Sequence, residues 1–458
     1  MRNAISILCL VALAGCSLMP DYQRPDAPVP ASLPGPAGDG AVAAELGWQE
    51  FLVDEHLRAV VEQALANNRD LRIAALNVEK VAALVRLQRS ELSPGFGAQA
   101  AGERRRIPEK MTDSGVARTT AQYAVEVGFL SWEIDLFGRI RSLSASALEQ
   151  YLATEEAARA VQVALVSGTA VSYLRLAADA EGYRLAQATL AAQSDALELV
   201  RASRDAGVAS DLDLRQAESQ VEAARVSVAE LAGAMAVDRH ALELLLGGPL
   251  PPEHAPEGLA ALAPTTELAG GLSSEVLLAR PDIRAAEHRL RAANADIGAA
   301  RAAFFPRITL TGALGTLSSE LSGLFESGTR TWRVAPLVQL PLYAGGGLRA
   351  RLEATKIERE IAAASYEKAI QTAFAEVADA LELRGTLQEQ LAAHDRLVVA
   401  LRETLRLAEE RYRAGVDGYL GVLVAQRGLF AAEQAGVYLR FAERSNRIAL
   451  YRALGGGG

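Results

Sequence analysis

Through most of the chain, hydrophobic residues recur every three to four positions, which is the spacing of one face of a helix. This rhythm changes after Pro94 and again after Pro306. Following Pro306, the apolar residues Ile308, Leu310 and Leu314 alternate with polar or small ones, as in a strand with one apolar face. Because proline disfavours continuation of a helix, the pattern predicts two places where a helix passes directly into a strand.

These two places are copies of one unit. Residues 68–102 and 280–315 align without a gap as far as the prolines, since Pro94 and Pro306 are 212 positions apart. A repeat of this length is the first feature to establish, because missing it would misassign the whole fold. The sequence therefore predicts an internally duplicated protein.

A second shared feature lies in the helices that end the two halves. Their apolar positions follow a 3,4,3,4 spacing, and the second set lies 208 positions after the first. The seams are Leu214, Ala217, Val221, Ala224, Val228, Leu231 and Met235, and then Val422, Ala425, Leu429, Ala432, Gly436 and Leu439. An average spacing of 3.5 residues predicts a left-handed coiled coil.

The predicted elements form two halves around a linker. The first half, 54–247, has helices at about 54–93, 139–206 and 211–246 and strands at about 95–106 and 121–135. The second half, 273–454, has helices at about 275–304, 347–414 and 418–454 and strands at about 307–317 and 331–342. Residues 248–272 are rich in proline and glycine and are expected to join the halves.

The strands have the length and the pattern of membrane strands. In the second strand, Tyr123, Val125, Val127 and Phe129 share one face, although the edge strand of a soluble sheet would show the same pattern. No segment beyond the N-terminus offers about 18–20 uninterrupted apolar residues, so we expect no membrane-spanning helix. Since barrels have at least eight strands and open edges in lipid are prohibitive, four strands per chain predict a homotrimer with twelve.

The N-terminus predicts export and a lipid anchor. Residues 1–15 resemble a signal peptide, with an apolar run that ends in Leu-Ala-Gly before Cys16. This resembles a bacterial lipobox, in which Cys16 receives the lipid; the alternative is an ordinary signal peptide with an incidental cysteine. Residues 16–53 would then form the lipidated cysteine and a proline-rich tether.

Composition and motifs argue against several other classes of function. A net charge of −9 disfavours a nucleic-acid binder. The five histidines are scattered without ligand spacing, so we expect no metal and no cofactor apart from the lipid on Cys16. Three consecutive glycines, 345–347, lack the lysine of a phosphate-binding loop. We expect no enzymatic activity.

The candidate functional residues lie at two glycine turns, each between a long helix and its returning helix. Gly207 and Gly415 mark the turns, and Asp211, Asp213 and Asp417 follow them. Ser210 or Asp211, and Asp417, are placed to cap helix N-termini. Alternatively, three copies around a narrow opening would form an acidic ring that favours cations. Arg411, Tyr412 and Arg413 are either bridges to these acids that keep the tip closed or a solvated surface.

At this point the chain resembles the TolC/OprM-like outer membrane factors. The resemblance is carried by the lipobox with its tether and by three motifs: Arg280-Pro-Asp-Ile283, Phe305-Pro306-Arg307-Ile308 and Arg411-Tyr412-Arg413-Ala414-Gly415 followed by Tyr419-Leu420. It implies a mainly helical trimer with one 12-strand outer membrane β-barrel and a 12-helix periplasmic α-barrel, closed at the tip until partners engage it. Many relatives carry an acid where this chain has Val424, so no gating carboxylate is assigned there.

The resemblance implies a passive exit duct for drugs or other small toxic compounds. Its partners would be a periplasmic adaptor protein, a proton-driven inner-membrane transporter of the RND type and outer membrane lipid. A type I protein secretion duct is the first alternative, and a structural envelope-spanning lipoprotein trimer is the second. Arg104, Arg105 and Arg106 end the first strand, where they meet lipopolysaccharide phosphates or form a solvated loop.

Overall fold

A computed structural model describes residues 17–34, 40–269 and 271–456. Cys16 and the predicted signal peptide lie outside the described residues. The chain divides into two compact units, and each draws on both halves of the sequence. Unit 1 comprises Met1–Asp26, Asn77–Glu155 and Ala285–Glu367, and unit 2 comprises Ala27–Leu76, Glu156–Arg284 and Lys368–Gly458.

Unit 1 contains a four-stranded antiparallel sheet in the order β1-β2-β3-β4. The strands are β1 (Phe96–Ile107), β2 (Arg118–Glu133), β3 (Arg307–Ser318) and β4 (Arg330–Gln339). One end of the sheet, here named the helical end, is where every strand connects to a long helix. At the other end, here named the loop end, residues 108–117 join β1 to β2 and residues 319–329 join β3 to β4.

The two faces of the sheet differ sharply in polarity. One face, here named the apolar face, consists of Phe96, Ala98, Ala100, Tyr123, Val125, Val127, Phe129, Trp132, Ile308, Leu310, Leu314, Trp332, Val334, Pro336 and Val338. The opposite face carries Gln99, Glu126, Glu133, Thr309, Thr311, Arg333 and Gln339. Phe96 and Trp332 are 74% and 72% exposed, so the apolar face is uncovered within one chain.

A bulge near the end of β2 is needed to keep this separation. The register shifts between Phe129 and Trp132, and Ser131 adopts a left-handed backbone with φ of 56°. A bulge inserts an extra residue and reverses the alternation of the side chains beyond it. Trp132 therefore joins Phe129 on the apolar face, where their rings meet edge to face at 6.3 Å, and Glu133 reaches Arg307 on the polar face at 2.5 Å.

Glycine is required where neighbouring strands come very close. A Cβ atom on Gly128 would lie 2.0 Å from the carbonyl oxygen of Gly312, and one on Gly315 would lie 2.1 Å from that of Val125. No side chain can be accommodated at such distances. These positions allow the strong curl of β2 against β3.

The helices are α1 (Trp48–Phe51), α2 (Glu55–Asn67), α3 (Arg69–Ser90), α4 (Arg139–Asp205), α5 (Asp211–Leu246), α6 (Pro281–Ala302), α7 (Gly347–Arg413) and α8 (Leu420–Ala453). Helices α4 and α7 each contain 67 residues, which corresponds to about 100 Å at 1.5 Å per residue. The predicted seam is buried at Ala217, Val221, Ala224 and Leu231 in α5. In α8 the corresponding buried positions include Val422, Ala425, Ala432 and Gly436.

Two predicted helices are interrupted. The helix expected at 54–93 breaks at Asn68, and the one expected at 275–304 is a 3-10 segment, Ser274–Ala279, followed by α6. Asn68 and Arg280 both have extended backbones, with ψ of 133° and 135°. Pro281 accounts for the second break, because proline disfavours helical geometry in the residue before it. At the first break the Asn68 side chain accepts a hydrogen bond from the amide of Leu71 and caps α3.

By length and composition, α4 does contain an 18-residue window apolar enough to cross a membrane, and 56% of that window is buried in the structure. Buried core helices pass the same test, so this window is weak support for a membrane span. Val166, Tyr173 and Ala177 of α4 are almost fully buried. The linker, 248–272, contains two short 3-10 turns, Pro252–His254 and Leu259–Ala261.

Candidate functional site

The first glycine turn joins α4 to α5 and is held by a hydrogen-bonded cap. Gly207 takes a left-handed backbone, with φ of 78°, and closes α4. The hydroxyl of Ser210 accepts from the amide of Asp213 at 3.2 Å, while the Asp213 carboxylate accepts from the amide of Ser210 at 3.0 Å. This reciprocal capping box satisfies amide groups that the helix itself leaves free.

The second glycine turn joins α7 to α8 and is held by an ion pair without a side-chain cap. Gly415 has φ of 68°, and the Arg411 guanidinium donates two hydrogen bonds to Asp417, at 2.5 and 3.1 Å. A two-point contact of this kind fixes the orientation of both groups. The Arg411 guanidinium donates to Asp417 and holds the pKa of this carboxyl below its usual range.

The structure separates the predicted roles of the acids. Ser210 is the N-cap of α5, as predicted, but Asp211 is the first helical residue and pairs with Arg204 at 3.0 Å. Capping by Asp417 was a wrong prediction: α8 begins after Tyr419, which makes no side-chain capping bond. Asp417 is turned back towards Arg411 because the guanidinium offers a charged partner.

The neighbours of Arg411 in sequence make different contacts. Arg413 pairs with Glu409 at 3.0 Å, one turn back on its own helix, and not with an acid of either turn. Tyr412 packs against Tyr419, with ring centroids 5.3 Å apart. Burial, with a smaller contribution from the charge of Asp213, raises the pKa of Tyr412. Of the three residues, Arg411 alone forms an ion pair that spans its turn.

Beneath the two turns, all four helices share one apolar core. Its buried members are Leu197, Val200, Ala217, Val221, Tyr419, Val422 and Leu423. They come from α4, α5 and α8, and residues of α7 such as Leu405 and Ala408 pack against them. Since the residues next to both turns belong to the same core, a movement of either turn disturbs the packing of the other.

The N-terminal segment 17–24, here named the strap, does not behave as a simple tether. It runs along α6, where Asn294 donates to the carbonyl of Pro20 at 2.8 Å and Arg301 donates to that of Leu18 at 3.1 Å. Adding a Cβ to Gly298 would create contacts of 2.9–3.0 Å with Met19 of the strap. The strap is therefore fitted to one face of α6.

Glu287 anchors the other end of the strap. Its carboxylate accepts hydrogen bonds from Arg24 at 2.7 and 3.0 Å, from Arg291 at 2.7 Å and from Tyr22 at 3.2 Å. Burial alone would raise the pKa of Glu287, but the hydrogen bonds from Arg291 and Arg24 outweigh it and hold the pKa below its usual value. The guanidinium of Arg291 also lies 5.0 Å above the Tyr22 ring. The composition of the strap suggested flexibility, and only the partner helix shows why it is fixed.

The Arg280-Pro-Asp motif has a structural role. Within unit 2, Arg280 is buried and donates to Asp282 at 2.8 and 3.0 Å, to Glu376 at 2.8 Å and to the carbonyl of Ala453 at 2.9 Å. One side chain thus joins the start of α6 to α7 and to the end of α8. The sequence offered the motif as a mark of resemblance but gave no sign of these partners.

Among the described residues, no group of three or more histidine, cysteine, aspartate or glutamate side chains is placed to hold a metal ion. The charged groups at the two glycine turns pair with one another instead. Nothing in this arrangement is set up for bond-making chemistry.

Comparison with known proteins agrees with the duplicated architecture. The family model described as outer membrane efflux protein matches residues 60–248 and again residues 272–456. The toluene efflux pump outer membrane protein TtgF of Pseudomonas putida is 47% identical, over 99% of this chain and 96% of its own. The antibiotic efflux pump outer membrane protein ArpC of the same species is 45% identical, over 97% and 93%.

A solved structure gives the same result at the level of the fold. The open-state MtrE outer membrane channel of Neisseria gonorrhoeae superposes with a TM-score of 0.89 at 37% identity, over 96% of this chain and 98% of that one. Sequence and fold therefore agree over nearly the whole length of both chains. The chain belongs to the outer membrane efflux protein family.

Proposed function

We propose that this protein is the trimeric outer membrane exit duct of a tripartite pump for small, largely apolar toxic compounds, such as antibiotics and aromatic solvents. The observation that carries the proposal is the uncovered apolar face of the sheet, in a chain that also contains two 67-residue helices. The substrate class is supported by the similarity to ArpC, an antibiotic efflux pump protein, and TtgF, a toluene efflux pump protein.

Three copies complete the membrane part. β1 and β4 are the edges of the sheet within one chain, and each would leave a row of unpaired backbone groups in lipid. Pairing β4 of one copy with β1 of the next removes both edges, and three copies give twelve strands. At about 100 Å, α4 and α7 are long enough to extend through much of the periplasm towards an adaptor protein.

The lipid on Cys16 and the strap would act together. In this proposal the acyl chains anchor the protein in the outer membrane, and the strap keeps the anchor close to the sheet. The contact of Arg301 with Leu18 supports this, because Arg301 lies in the last turn of α6, shortly before β3 begins. A flexible tether would leave the distance between the lipid and the strands undefined, whereas a strap bound to α6 limits that distance.

The two glycine turns would form the gate. Because Arg411 neutralises Asp417 within its own chain, we propose that this ion pair keeps the second turn closed and that Asp417 forms no acidic ring. The Arg411–Asp417 pair is here named the latch. Asp213 remains a candidate for the ring, since its partners are the hydroxyl and amide of Ser210. Contact with an adaptor and an inner-membrane transporter, which we expect to be proton-driven, would open the latch.

The test is to capture the partners at the turns in living cells. A cysteine introduced by Gly418→Cys or Ala209→Cys would be cross-linked and the captured proteins identified by mass spectrometry, with Glu253→Cys in the linker as a matched exposed control. We expect the adaptor of a proton-driven exporter at the turns but not at the linker. Capture of an adaptor that serves an ATP-driven protein exporter would instead support type I secretion.

Transport is measured separately in a strain that lacks its own outer membrane efflux proteins. Expression of this chain with its partners should restore resistance to toluene and to antibiotics. If no adaptor is captured and resistance is not restored, although the protein reaches the outer membrane, the structural lipoprotein becomes the better explanation.

A further inference from the structure

The loop end of the sheet carries arginines in a defined position. The helices leave from the opposite end, so the loop end is the part of the sheet farthest along the strands from the periplasmic helices. Arg104 and Arg106 lie on β1 eight and ten residues after Phe96, which marks the helical end of the apolar face. At the usual strand tilt of about 35–45°, eight to ten residues of strand rise about 19–28 Å, a range that includes the height of about 25 Å of a membrane barrel's apolar band.

The pairing register places both arginines on the apolar face. Gly102 pairs with Tyr123 and Arg104 with Ala121, so Arg104 follows Tyr123 directly on that face. The Tyr123 ring covers Gly102, where an added Cβ would come within 3.0 Å of it. An aromatic residue at this level is typical of the boundary between the apolar band and the polar headgroups. Arg104 and Arg106 therefore lie just beyond that boundary.

The second hairpin repeats the arrangement. Trp332 pairs with Leu314 on the apolar face, and Arg330 pairs with Thr316 on the same face, two residues closer to the loop end. The order from the middle of the sheet outwards is again apolar residue, aromatic residue, arginine. Two hairpins with different sequences thus each place an exposed guanidinium group on the apolar face, on the loop side of an aromatic residue.

These arginines have no acidic partner in the described part of the chain. Arg104, Arg106 and Arg330 are exposed, and no carboxylate of the described residues pairs with any of them. Arg333 provides the contrast: it lies on the polar face and pairs with Glu126 at 3.0 Å. Arg105 also points to the polar face, since its partner in the register is Thr120. Among the described residues, the charged groups on the apolar face of the sheet are therefore all arginines without an acidic partner.

We propose that Arg104, Arg106 and Arg330 bind the phosphate groups of lipopolysaccharide in the outer leaflet. The planar guanidinium group donates two parallel hydrogen bonds to a phosphate, which makes arginine the residue best suited to this contact. The phosphates of this glycolipid lie at the level where its acyl chains end, and each of the three arginines lies on the loop side of the last aromatic residue of its own hairpin. The inference rests on the sheet spanning the outer membrane, as proposed above.

The test compares lipid binding by the purified full-length protein and its variants. Diphosphorylated lipid A is titrated into wild type, into R104Q/R106Q/R330Q and into R105Q, the matched control whose side chain faces the other way. Loss of three cationic contacts should weaken binding by at least about tenfold in the triple variant. In R105Q the affinity should stay within about twofold of wild type.

A second titration needs no variant, so it stands even if the triple variant fails to assemble. Wild-type protein should bind diphosphorylated lipid A at least about tenfold more tightly than the dephosphorylated glycolipid. Equal affinity for the two glycolipids, equal affinity for phosphatidylglycerol, or equal loss in R105Q and the triple variant would overturn the proposal. Failure of the membrane assignment itself is distinguishable, because the protein would then not fractionate with the outer membrane.

Discussion

The two halves of this chain share one backbone break, here named the corner, but stabilise it with different side chains. The corner is the extended residue that precedes a helix, Asn68 before α3 and Arg280 before α6. Asn68 and Arg280 both have φ of −62° with nearly equal ψ, and both side chains donate at 2.9 Å to a last-turn carbonyl, of Leu245 in α5 and Ala453 in α8. The asparagine is a neutral cap. The arginine adds ion pairs with two helices and buries a charge. The two copies therefore share the same backbone angles at this break, but different side chains form the hydrogen bonds that stabilise it.

The long helices show the same divergence. Asp179 in α4 and Leu387 in α7 lie 208 positions apart, and both are buried. Leu387 adds apolar contact, whereas Asp179 faces Asp238 of α5, and one of its oxygens lacks a hydrogen-bond partner. Burial, together with the hydrogen bond and charge of Asp238, raises the pKa of Asp179 to about 7, against a smaller lowering by Arg175.

The glycine turns differ as well, and here the difference bears on function. The first turn has a cap between neighbours in sequence, Ser210 and Asp213, in addition to an ion pair between Arg204 and Asp211. The second is closed by an ion pair between side chains six residues apart, Arg411 and Asp417. A cap stabilises its own helix, whereas an exposed ion pair can be exchanged for another partner at small cost. The second turn is thus better suited to switching.

The largest effect is expected at the corners. Arg280→Ala removes four hydrogen bonds and leaves Asp282 and Glu376, whose side chains are 47% and 37% exposed, without their cation, at a cost of about 2–3 kcal/mol. Asn68→Ala removes one hydrogen bond and one cap, with a cost of about 1–2 kcal/mol. Urea unfolding of the two variants, purified in the same detergent, measures both losses.

Arg280→Lys serves as the control for charge alone, because lysine cannot reproduce the four hydrogen bonds of the guanidinium group. It should recover only part of the loss. If Arg280→Ala proved no worse than Asn68→Ala, the view that the second corner depends on a buried charge would be wrong.

A smaller and pH-dependent effect is expected at Asp179. The pKa of Asp179 in the folded protein lies above its value in the unfolded chain. Its contribution to the free energy of unfolding is therefore complete below pH about 4 and is lost as the pH rises through about 7. Asp179→Asn should therefore stabilise the protein by roughly 2 kcal/mol at pH 8 and change little at pH 5. Thermal unfolding at the two pH values measures the difference, with exposed Asp195→Asn as the control. A stabilisation independent of pH would contradict the assignment.

The smallest effect, a change of a few-fold in conductance, is expected at the turns. Asp417→Asn removes the ion pair and should raise the single-channel conductance in planar bilayers, whereas Ser210→Ala should leave it unchanged at a local cost of about 1 kcal/mol. In the wild type the depressed pKa of Asp417 keeps the pair intact at pH 5, and it is lost only as the pH falls below the usual carboxyl range. Unchanged conductance in Asp417→Asn would contradict the proposal that the Arg411–Asp417 ion pair keeps the second turn closed.

Much of the fold was accessible from the sequence because it depends on local rules. The order of strands and long helices, the repeat and the buried seam of α5 follow from periodicity and from breaks at proline and glycine. The family and its architecture, which the resemblance implied, are confirmed. The roles of the turn residues and the lipid on Cys16 remain predictions.

Other features depend on contacts between distant residues, which periodicity does not report. Trp132 falls within the strand predicted at about 121–135, but a bulge at Ser131 decides which face of the sheet it shares. The strap looked like a flexible linker until Glu287 and Asn294 of α6 supplied its partners. Asp417 was placed to cap a helix, and the competing guanidinium of Arg411 drew it away.

The sequence by itself determined the duplication, because the two copies align at a constant offset. It also determined the helix and strand pattern and the apolar face, because each is set by neighbours within a few residues along the chain. Only the tertiary structure decided the partners of the charged residues and the single register that keeps that face continuous. The physical reason is that hydrogen bonds and ion pairs form between groups that the fold brings within a few ångströms of each other. Positions along the sequence do not give the distances between those groups in space.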